Sequence, residues 1–565
     1  MPVCLLLVLI LFLQGCTTYS QSIDKGLTFA HNGNWQAAES ALSEALDSPE
    51  DRLLYLLETG ALAQYQGNYS HSNQLLEAAE EISDTFFNQS FSDRSWALLT
   101  NPRQGSYRGN SIERVYISYF KSLNYLALAE QTNIPQEKTA LLDAALVESR
   151  RIDLKLDEIT RQTPSYSDIK SENKSFLEQT LHFFSGFYTG ALDRDKYAYR
   201  DDAWARYMEG LLYEVAQEYD DARISYQTAA ILYEEGYAQQ YDLPTVTAER
   251  AWLDTIRMMK KTGGWSSEYP KLIKEKLTEK SQAILAQYNQ KNAEVVLLEH
   301  QGFLPAKQEM SVLLYGDPQS YSLVLEPFFG GHLTSGDEAQ SWFTMVYADI
   351  NPLSMIANYK AGKSIAALDG FFTKRVILGS KVWKELSRIE LDDTLLSTPL
   401  RVTIPYYHRF SLDNSNTQLS INPRKIDTRL LADKKAPLPI KSSIRMASLA
   451  DIAVQEQLNQ SQRDIYESLL REVLRAWLAH KVAASTKDEG TKQLLDLLSK
   501  VAIFVSSAAE TRNWLTLPAQ VRLIRQPLDP GEYDFSYLVN EQHFSLDQVK
   551  LRRGSVKVWN IRNPN

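Results

Sequence analysis

Residues 26–45, GLTFAHNGNWQAAESALSEA, and residues 60–79, GALAQYQGNYSHSNQLLEAA, decide the fold of this chain. Aligned without a gap, the two stretches place glycines, an aromatic residue, a small residue, a leucine and an alanine at matching positions. The matched pairs lie 34 residues apart: Gly26 and Gly60, Gly33 and Gly67, Trp35 and Tyr69, Ala38 and Ser72, Leu42 and Leu76, Ala45 and Ala79. A fixed period of this length indicates an array of helical repeats.

This pattern resembles the tetratricopeptide repeat, a pair of antiparallel helices. The resemblance implies that Gly26 and Gly60 lie where the two helices of a pair approach closely, and that Gly33 and Gly67 lie in the turn. A third unit contains Gly210, Tyr213, Tyr219, Ala222, Tyr226 and Ala229, with Gln217 where the turn glycine would be. Its spacing from the second unit is not a multiple of the period, so insertions must interrupt the array.

Residues 22 to about 290 are therefore predicted to form a tetratricopeptide-like α-solenoid. Additional helices are predicted at 119–128, 141–156, 246–262 and 271–288, and a loop at 101–111. An ordinary helix bundle with two similar hairpins is the alternative. Stacked repeats present an extended concave face, which usually binds peptides or proteins.

The hydrophobic period changes after residue 293. Apolar runs at 294–299, 321–325 and 401–405 predict strands, whereas 449–484 and 491–508 predict helices. In the tail, apolar and polar residues alternate from 533 to 539, and turn signals occur at 529–531 and 553–555. We expect an antiparallel β-sandwich-like module here, joined by the strands near 294–328 and 401–407, with the helices inserted between them.

The predicted fold class is thus α+β, an N-terminal α-solenoid followed by a mixed C-terminal region. The expected divisions are a signal peptide at 1–15, the helical repeat domain at 16–290, a strand-containing mixed region at 293–445, a helical segment at 446–510 and the antiparallel β module at 511–565.

The N-terminus has the pattern of an export signal. Val3–Leu13 is an unbroken run of 11 apolar residues, too short for a bilayer span of about 20 residues but suited to a secretory signal. Leu13-Gln14-Gly15-Cys16 follows it and resembles the lipobox of bacterial lipoproteins, in which the cysteine is acylated and becomes the first residue. The resemblance implies acylation at Cys16, and Thr17 in the next position implies the outer membrane.

One feature departs from that pattern, because Met1–Val3 contains no Lys or Arg. Either the true start lies elsewhere or the export signal is weak. A buried N-terminal element that happens to contain a cysteine is the alternative.

Composition excludes some classes of function. The formal net charge is -10, which argues against a general nucleic-acid binder, since such proteins need a basic excess to neutralise phosphates. Only Cys4 and Cys16 are cysteines, so the rest of the chain can hold neither a disulfide framework nor a cysteine-based zinc site.

The order of lipobox, helical array and mixed C-terminal region resembles a family of largely uncharacterised bacterial outer-membrane lipoproteins. The residues that carry this resemblance are Tyr107-Arg108-Gly109 with Glu113-Arg114, 202–207 (DAWARY), Glu294-Val295-Val296 with Gln301-Gly302, and 512–518 (RNWLTLP). The resemblance covers most of the mature chain except about 330–395. It implies an envelope location and no known reaction. Members tend to be encoded near other outer-membrane lipoproteins, some of which act on peptidoglycan synthases.

Motifs that would indicate catalysis are scarce. The eight histidines are isolated, without the paired spacing of a zinc helix. Gly330-Gly331-His332 has its histidine after the glycines, which favours a turn over an oxyanion loop. We therefore expect no metal, no cofactor and no catalytic site.

The best polar constellation lies in the helical half. Its members are Tyr107, Arg108, Glu113, Arg114, Glu148, Arg150 and Arg151. Arginine binds carboxylates and phosphates bidentately, so these residues are a candidate groove for an acidic peptide or glycan. A surface ion-pair network is the alternative.

Together these patterns favour a lipid-anchored protein on the periplasmic face of the outer membrane. Its expected role is a protein-binding scaffold in cell-envelope biogenesis, with the membrane and an unidentified envelope protein as partners. The alternatives are a periplasmic hydrolase acting on cell-wall material and a purely structural tether.

Overall fold

The computed structural model describes 19–87, 105–161, 199, 201–289, 292–328, 338–343, 374–377, 399–408, 417–424, 440–484, 508–539, 542–564 and a few single residues between 380 and 412. Cys16 and the export signal lie outside the described residues, as do Gly330-Gly331-His332 and all but the last residue of the predicted helix at 491–508.

The first half of the described chain is helical. Its helices are α1 Tyr19–Ser22, α2 Asp24–His31, α3 Trp35–Ala45, α4 Arg52–Tyr65, α5 Tyr69–Phe87, α6 Ser111–Gln131, α7 Pro135–Arg161, α8 Ala203–Val215, α9 Tyr219–Leu232, α10 Ala238–Gln240, α11 Val246–Thr262, α12 Tyr269–Lys276 and α13 Glu279–Gln287. From α2 to α9 each helix packs against its neighbour in sequence, and α11 packs on α9 and then on α12. We call α1–α13 the helical array. The helices predicted at 119–128, 141–156 and 246–262 are confirmed.

Three helical hairpins share one close contact: α2 with α3, α4 with α5, and α8 with α9. A Cβ atom added to Gly26 would lie 2.7 Å from the Leu42 side chain, and one added to Gly60 would lie 2.9 Å from Leu76. In the third hairpin a Cβ on Gly210 would lie 2.7 Å from Tyr226. Each glycine therefore lies where no other residue fits without movement, as the repeat alignment predicts.

The turns of these hairpins also match. Gly33 and Gly67 have φ of 70° and 77°, and Gln217 holds the same left-handed conformation at 68°. Glycine adopts this conformation without the steric cost that a Cβ atom brings. The three units therefore share their turn geometry although the third lacks the glycine.

Gly60→Leu is expected to lower the free energy of unfolding by about 1–3 kcal/mol, because added methylenes overpack a closed contact. Gly26→Leu should have a similar effect, since its contact with Leu42 has the same geometry. Thermal unfolding followed by circular dichroism measures the loss. Gln74→Leu on the exposed side of α5 is the control. Unchanged melting of both glycine variants would contradict the repeat alignment.

The second half contains the strands and one long helix. The strands are β1 Ala293–Gln301, β2 Lys307–Asp317, β3 Ser322–Phe328, β4 Lys374–Ile377, β5 Leu400–Tyr407, β6 Gln418–Pro423, β7 Lys441–Ser442, β8 Ile444–Ser448, β9 Gln520–Leu528, β10 Gly531–Val539, β11 Gln542–Leu551 and β12 Val556–Asn563. The helix α14, Leu449–Ala484, confirms the helix predicted at 449–484. Among the described residues, no helix is both long and apolar enough to span a bilayer.

The strands form three sheets. The first has the order β12-β1-β9-β8, the second β11-β10-β6-β7 and the third β4-β3-β2-β5. The strand predicted at 294–299 does join strands of the tail, because β1 pairs with β9 and β12. The expectation that the strands near 322–328 and 401–407 also join them is wrong: β3 and β5 both pair with β2 in the third sheet.

The tail is not one antiparallel meander. The turn at 529–531 carries the chain from β9 in the first sheet to β10 in the second, and the turn at 553–555 carries it back to β12. There β12 pairs with β1 in parallel, although the two strands lie near opposite ends of the C-terminal half of the sequence. The divisions at 293–445, 446–510 and 511–565 stay predictions, although strands of the first and last ranges share a sheet.

The first sheet lies between the helical array and the second sheet. Side chains alternate along its strands: Val296 and Leu298 of β1 join the core of the helical array, whereas Val295 and Leu297 join a core shared with the second sheet. This follows from the two-residue period of a strand. Every residue of β1 and β9 is buried because both faces are covered. The protein is a mixed α+β fold, as predicted.

Candidate functional site

Each of the stretches 107–114, 202–207, 294–302 and 512–518 contributes residues to the boundary between the helical array and the first sheet, although Arg108 and Arg114 lie away from it. We call this boundary the polar seam. Its polar members are Glu58, Tyr107, Glu113, Tyr119, Asp202, Glu214, Asp254, Glu294, His300 and Arg525, and all are buried.

At one end of the seam, the segment 508–519 lies against the helical array. It is non-helical, and every residue except Glu510 is buried. The backbone N–H of Trp514 donates to Glu113 at 2.7 Å, and those of Leu515 and Thr516 donate to Glu58 at 2.8 and 3.0 Å. A buried backbone donor needs a partner, and here two helix carboxylates provide it in place of a neighbouring strand.

The position of Glu113 is fixed by local sequence. Asn110 caps α6, and Glu113 completes the capping box by accepting from the Asn110 N–H at 3.1 Å. The hydroxyl of Tyr107 donates to the same carboxylate at 2.7 Å. Burial raises the pKa of Glu113, against the lowering effect of these donors.

The indole of Trp514 is fully buried and packs against Phe120, with ring centroids 5.3 Å apart. Arg512 lies next to it, paired with Asp51 at 2.9 Å and Glu510 at 2.6 Å. The segment is therefore bound to the helical array by the buried ring of Trp514, by the ion pairs of Arg512 and by backbone hydrogen bonds.

Glu58→Gln is expected to remove part of the pH dependence of stability, because burial raises the pKa of Glu58 to about 7 from its ordinary 4.5. The folded protein holds this proton more tightly than the unfolded chain. The stabilisation is fully present below pH 4.5 and is lost as the pH rises through 7. The free energy of unfolding is expected to fall by on the order of 3 kcal/mol across this pH range.

Urea unfolding at a series of pH values tests this. The difference in stability between wild type and Glu58→Gln should change between about pH 4 and pH 8, in the direction of a wild type that weakens as pH rises. Glu44→Gln, on an exposed side chain, is the matched control. Parallel profiles for wild type and Glu58→Gln would contradict the prediction.

At the other end of the seam, arginines and carboxylates from α8, α11, β1 and β9 form a buried ion network. Its members are Glu214, Arg250, Asp254, Arg257, Glu294 and Arg525. The Arg525 guanidinium lies 2.7 Å from Glu214 and 2.8 Å from Glu294, and the Arg525 side chain is 0% exposed. Arg257 pairs with the same two carboxylates at 2.7 and 2.6 Å.

Three arginines and three carboxylates face one another in this network, and Lys261, which is 34% exposed, also pairs with Glu214 at 3.0 Å. Although burial alone would raise it, the guanidinium groups of Arg257 and Arg525 hold the pKa of Glu214 well below its usual range. Asp254 has a lowered pKa for the same reason, with Arg250 as its first partner. Glu214 and Asp254 therefore stay ionised, and the network joins the array to β1 and β9.

Between these two ends, Asp202 accepts hydrogen bonds from three tyrosine hydroxyls. Tyr116, Tyr199 and Tyr237 donate at 3.1, 3.1 and 3.0 Å. The N–H groups of Trp204 and Ala205 also donate to it, so Asp202 is the cap of α8. Burial raises the pKa of Asp202, while its donors lower it.

A chain of hydrogen-bonded aromatic side chains connects Trp204 of α8 with His300 of β1. The indole N–H of Trp204 donates to the Tyr119 hydroxyl at 2.9 Å, and that hydroxyl lies 2.9 Å from Nε2 of His300. Burial lowers the pKa of His300 to about 3. The ring is therefore neutral, and its Nε2 shares a hydrogen bond with the Tyr119 hydroxyl.

The structure separates the residues of the predicted groove. Tyr107 and Glu113 are buried in the seam, whereas Glu148 pairs with Lys121 at 2.9 Å and Arg151 at 3.1 Å. Arg114 is buried between Asp84 at 2.8 Å and Glu158 at 2.6 Å. Tyr107, Glu113, Arg114 and Glu148 are therefore all buried.

Three arginines of the predicted groove still reach solvent. Arg150 is exposed, with its Nε 3.3 Å from the Tyr213 hydroxyl. Arg151 is 40% exposed and Arg108 is half-buried over the ring of Phe86 at 5.8 Å. The groove stays a prediction, and only these three members could contact a ligand from solvent.

Sequence analysis did not single out Glu58, Glu214, Asp254 or Arg525. One signal was present: the apolar run 295–298 has glutamates at both ends, which indicates a strand buried on both faces with charged residues that need internal partners. The arginine partners of Glu294, Arg257 and Arg525, lie 37 and 231 residues away in sequence, and no local pattern identifies them.

Comparison of the chain with models of known protein families, with curated proteins and with solved structures finds no match. Within the described ranges, no group of three or more His, Cys, Asp and Glu residues could hold a metal ion.

Proposed function

We propose that this protein is a lipid-anchored scaffold on the periplasmic face of a bacterial outer membrane, and that its helical array binds a protein partner in envelope biogenesis. The observation that carries the proposal is the shared geometry of the three hairpins. Gly26, Gly60 and Gly210 make the same close contact with a residue 16 positions later, Leu42, Leu76 and Tyr226. Repeated hairpins that pack in sequence order support a tetratricopeptide-like solenoid, whose usual role is protein binding.

The seam supports a rigid scaffold. The segment 508–519 and the buried ion network tie the array to the first sheet through groups remote in sequence, and the Asp202 cluster joins parts of the array to one another. The array surface that faces the first sheet is therefore occupied by the chain itself. A partner would bind another surface of the array, where Arg108, Arg150 and Arg151 reach solvent.

Reversal of charge at Arg108 and Arg150 is expected to weaken recovery of an acidic partner. Both arginines lie on the array surface, and surface substitutions usually change stability by within about 0.5 kcal/mol, so the protein should stay folded. The measurement is affinity capture from envelope extract with wild type and Arg108→Glu/Arg150→Glu, with circular dichroism as the folding check.

The matched control is Lys271→Glu/Lys274→Glu, which makes the same charge change on exposed residues of α12. Loss of a partner from the arginine variant alone supports the proposal. Equal recovery of every partner by all three folded proteins would place the binding surface elsewhere. Turnover of a cell-wall substrate by the purified protein would favour the hydrolase alternative.

A further inference from the structure

We infer that the folded body lies directly against the membrane surface, with the start of the helical array nearest to the lipid headgroups. This inference rests on the proposed lipid anchor at Cys16. It adds the orientation of the scaffold, which the anchor alone does not determine.

The first described residue is part of the core. Tyr19 is 3% exposed, and Ile23, one helical turn later, is 1% exposed. The Tyr19 hydroxyl donates to Glu58 at 2.9 Å, and its backbone N–H donates to the Thr511 hydroxyl at 3.4 Å. The chain is therefore held from Tyr19 onward by both α4 and the segment 508–519.

The spacing in sequence makes this attachment short. Only Thr17 and Thr18 separate Cys16 from Tyr19. Three extended residues span at most about 11 Å. Because the acyl chains insert into the hydrocarbon, the acylated cysteine lies at the interface. Tyr19 must then lie within about 11 Å of the headgroup region, together with the residues that pack around it.

The surface beside Tyr19 fits contact with headgroups. Its exposed residues, Gln21, Ser22, Asp24 and Lys25, are polar or charged. This surface can lie on the headgroups without entering the hydrocarbon. A partner that binds the array must then approach at the membrane surface, and the array is presented in one orientation.

The composition makes a direct test possible. The mature chain has no cysteine besides Cys16, whose thiol the acyl group blocks. Lys25→Cys and Lys271→Cys each give one site for a fluorescent label, on exposed lysines of α2 and α12. These helices lie near opposite ends of the series of packed helices. The acylated proteins are placed in phosphatidylcholine vesicles containing lipid with a nitroxide on the headgroup, which quenches nearby labels.

The label at residue 25 is expected to lose most of its emission, and the label at residue 271 to keep most of it. Insertion of about 20 Gly and Ser residues between Thr18 and Tyr19, a tether of roughly 25 Å root-mean-square length, should restore the emission at residue 25. The insertion leaves every contact of Tyr19 in place, so folding is unaffected.

The outcomes separate this inference from the proposed function. Failure of the acylation-competent protein to float with vesicles, or flotation that persists in Cys16→Ser, would overturn the lipid anchor. Flotation that depends on Cys16, with equal quenching at the two labels or quenching at residue 25 that the insertion does not relieve, would overturn the orientation alone.

Discussion

Arg525→Met is expected to lower the free energy of unfolding by about 3–5 kcal/mol, the usual cost of breaking a buried ion pair. The Arg525 side chain is 0% exposed and contacts Glu214 and Glu294 at 2.7 and 2.8 Å. Methionine fills most of the space but leaves these carboxylates with less positive charge, and no water replaces it. Urea unfolding followed by circular dichroism measures the loss.

The matched control is Arg424→Met. Arg424 pairs with Asp534 at 3.0 Å, but their side chains are 46% and 43% exposed, so the expected loss is about 0–1 kcal/mol. Addition of Glu294→Gln to Arg525→Met should recover part of the loss, because one uncompensated carboxylate is removed. Equal losses in the Arg424 and Arg525 variants would show that the network does not hold the array to the sheet.

The sequence predicted the helical half well because its signals are local. In each unit the close-contact glycine, the turn residue and the aromatic residue that follows lie within a single hairpin, as Gly26 and Gly60 show. Each of these residues needs only near neighbours in sequence to take its place. The long helix at 449–484 was predicted with the same bounds, because apolar residues recur at helical spacing from 465 to 482. Apolar runs likewise identified β1, β3 and β5 as strands, and alternation identified β10.

Pairing between the strands was predicted less well. Periodicity shows that Tyr533–Val539 forms a strand, but not which strand lies beside it. Two short turns move the chain between sheets, and β12 returns to pair with β1, more than 250 residues earlier in the sequence. Such pairings depend on how the array and both sheets bury one another, and no local window of sequence contains that information.

The candidate site shows the same limit. Tyr107 and Glu113, which the sequence analysis placed in one groove, do lie within hydrogen-bond distance of each other, and the cap at Asn110 fixes the position of Glu113. Their partner, Trp514, is 401 residues away. As a result, residues that look like a binding groove in the sequence are buried polar groups that join distant parts of the chain. Of the predicted groove, only arginines on the array surface stay available to a partner.

The segment 508–519, which contains Trp514, is one of the connections between the helical array and the C-terminal half. Trp514→Ala is expected to lower the free energy of unfolding by about 3–5 kcal/mol, because truncation of a fully buried tryptophan removes its contacts and leaves a cavity. The ring packs against Phe120 of α6, and its N–H donates to Thr516 at 3.1 Å, so its loss also loosens the residues bound to Glu58.

Amide hydrogen exchange distinguishes this mechanism from a general loss of stability. In Trp514→Ala the amides of residues 514–516 should exchange faster than those of β9, because their carboxylate partners remain on the array while the segment moves away. Trp265→Ala is the control, since Trp265 is partly exposed and stacks with Arg223 at 4.3 Å, a contact worth about 1 kcal/mol or less. If both variants lose the same stability and exchange at residues 514–516 is unchanged, the segment is not what binds the C-terminal half to the array.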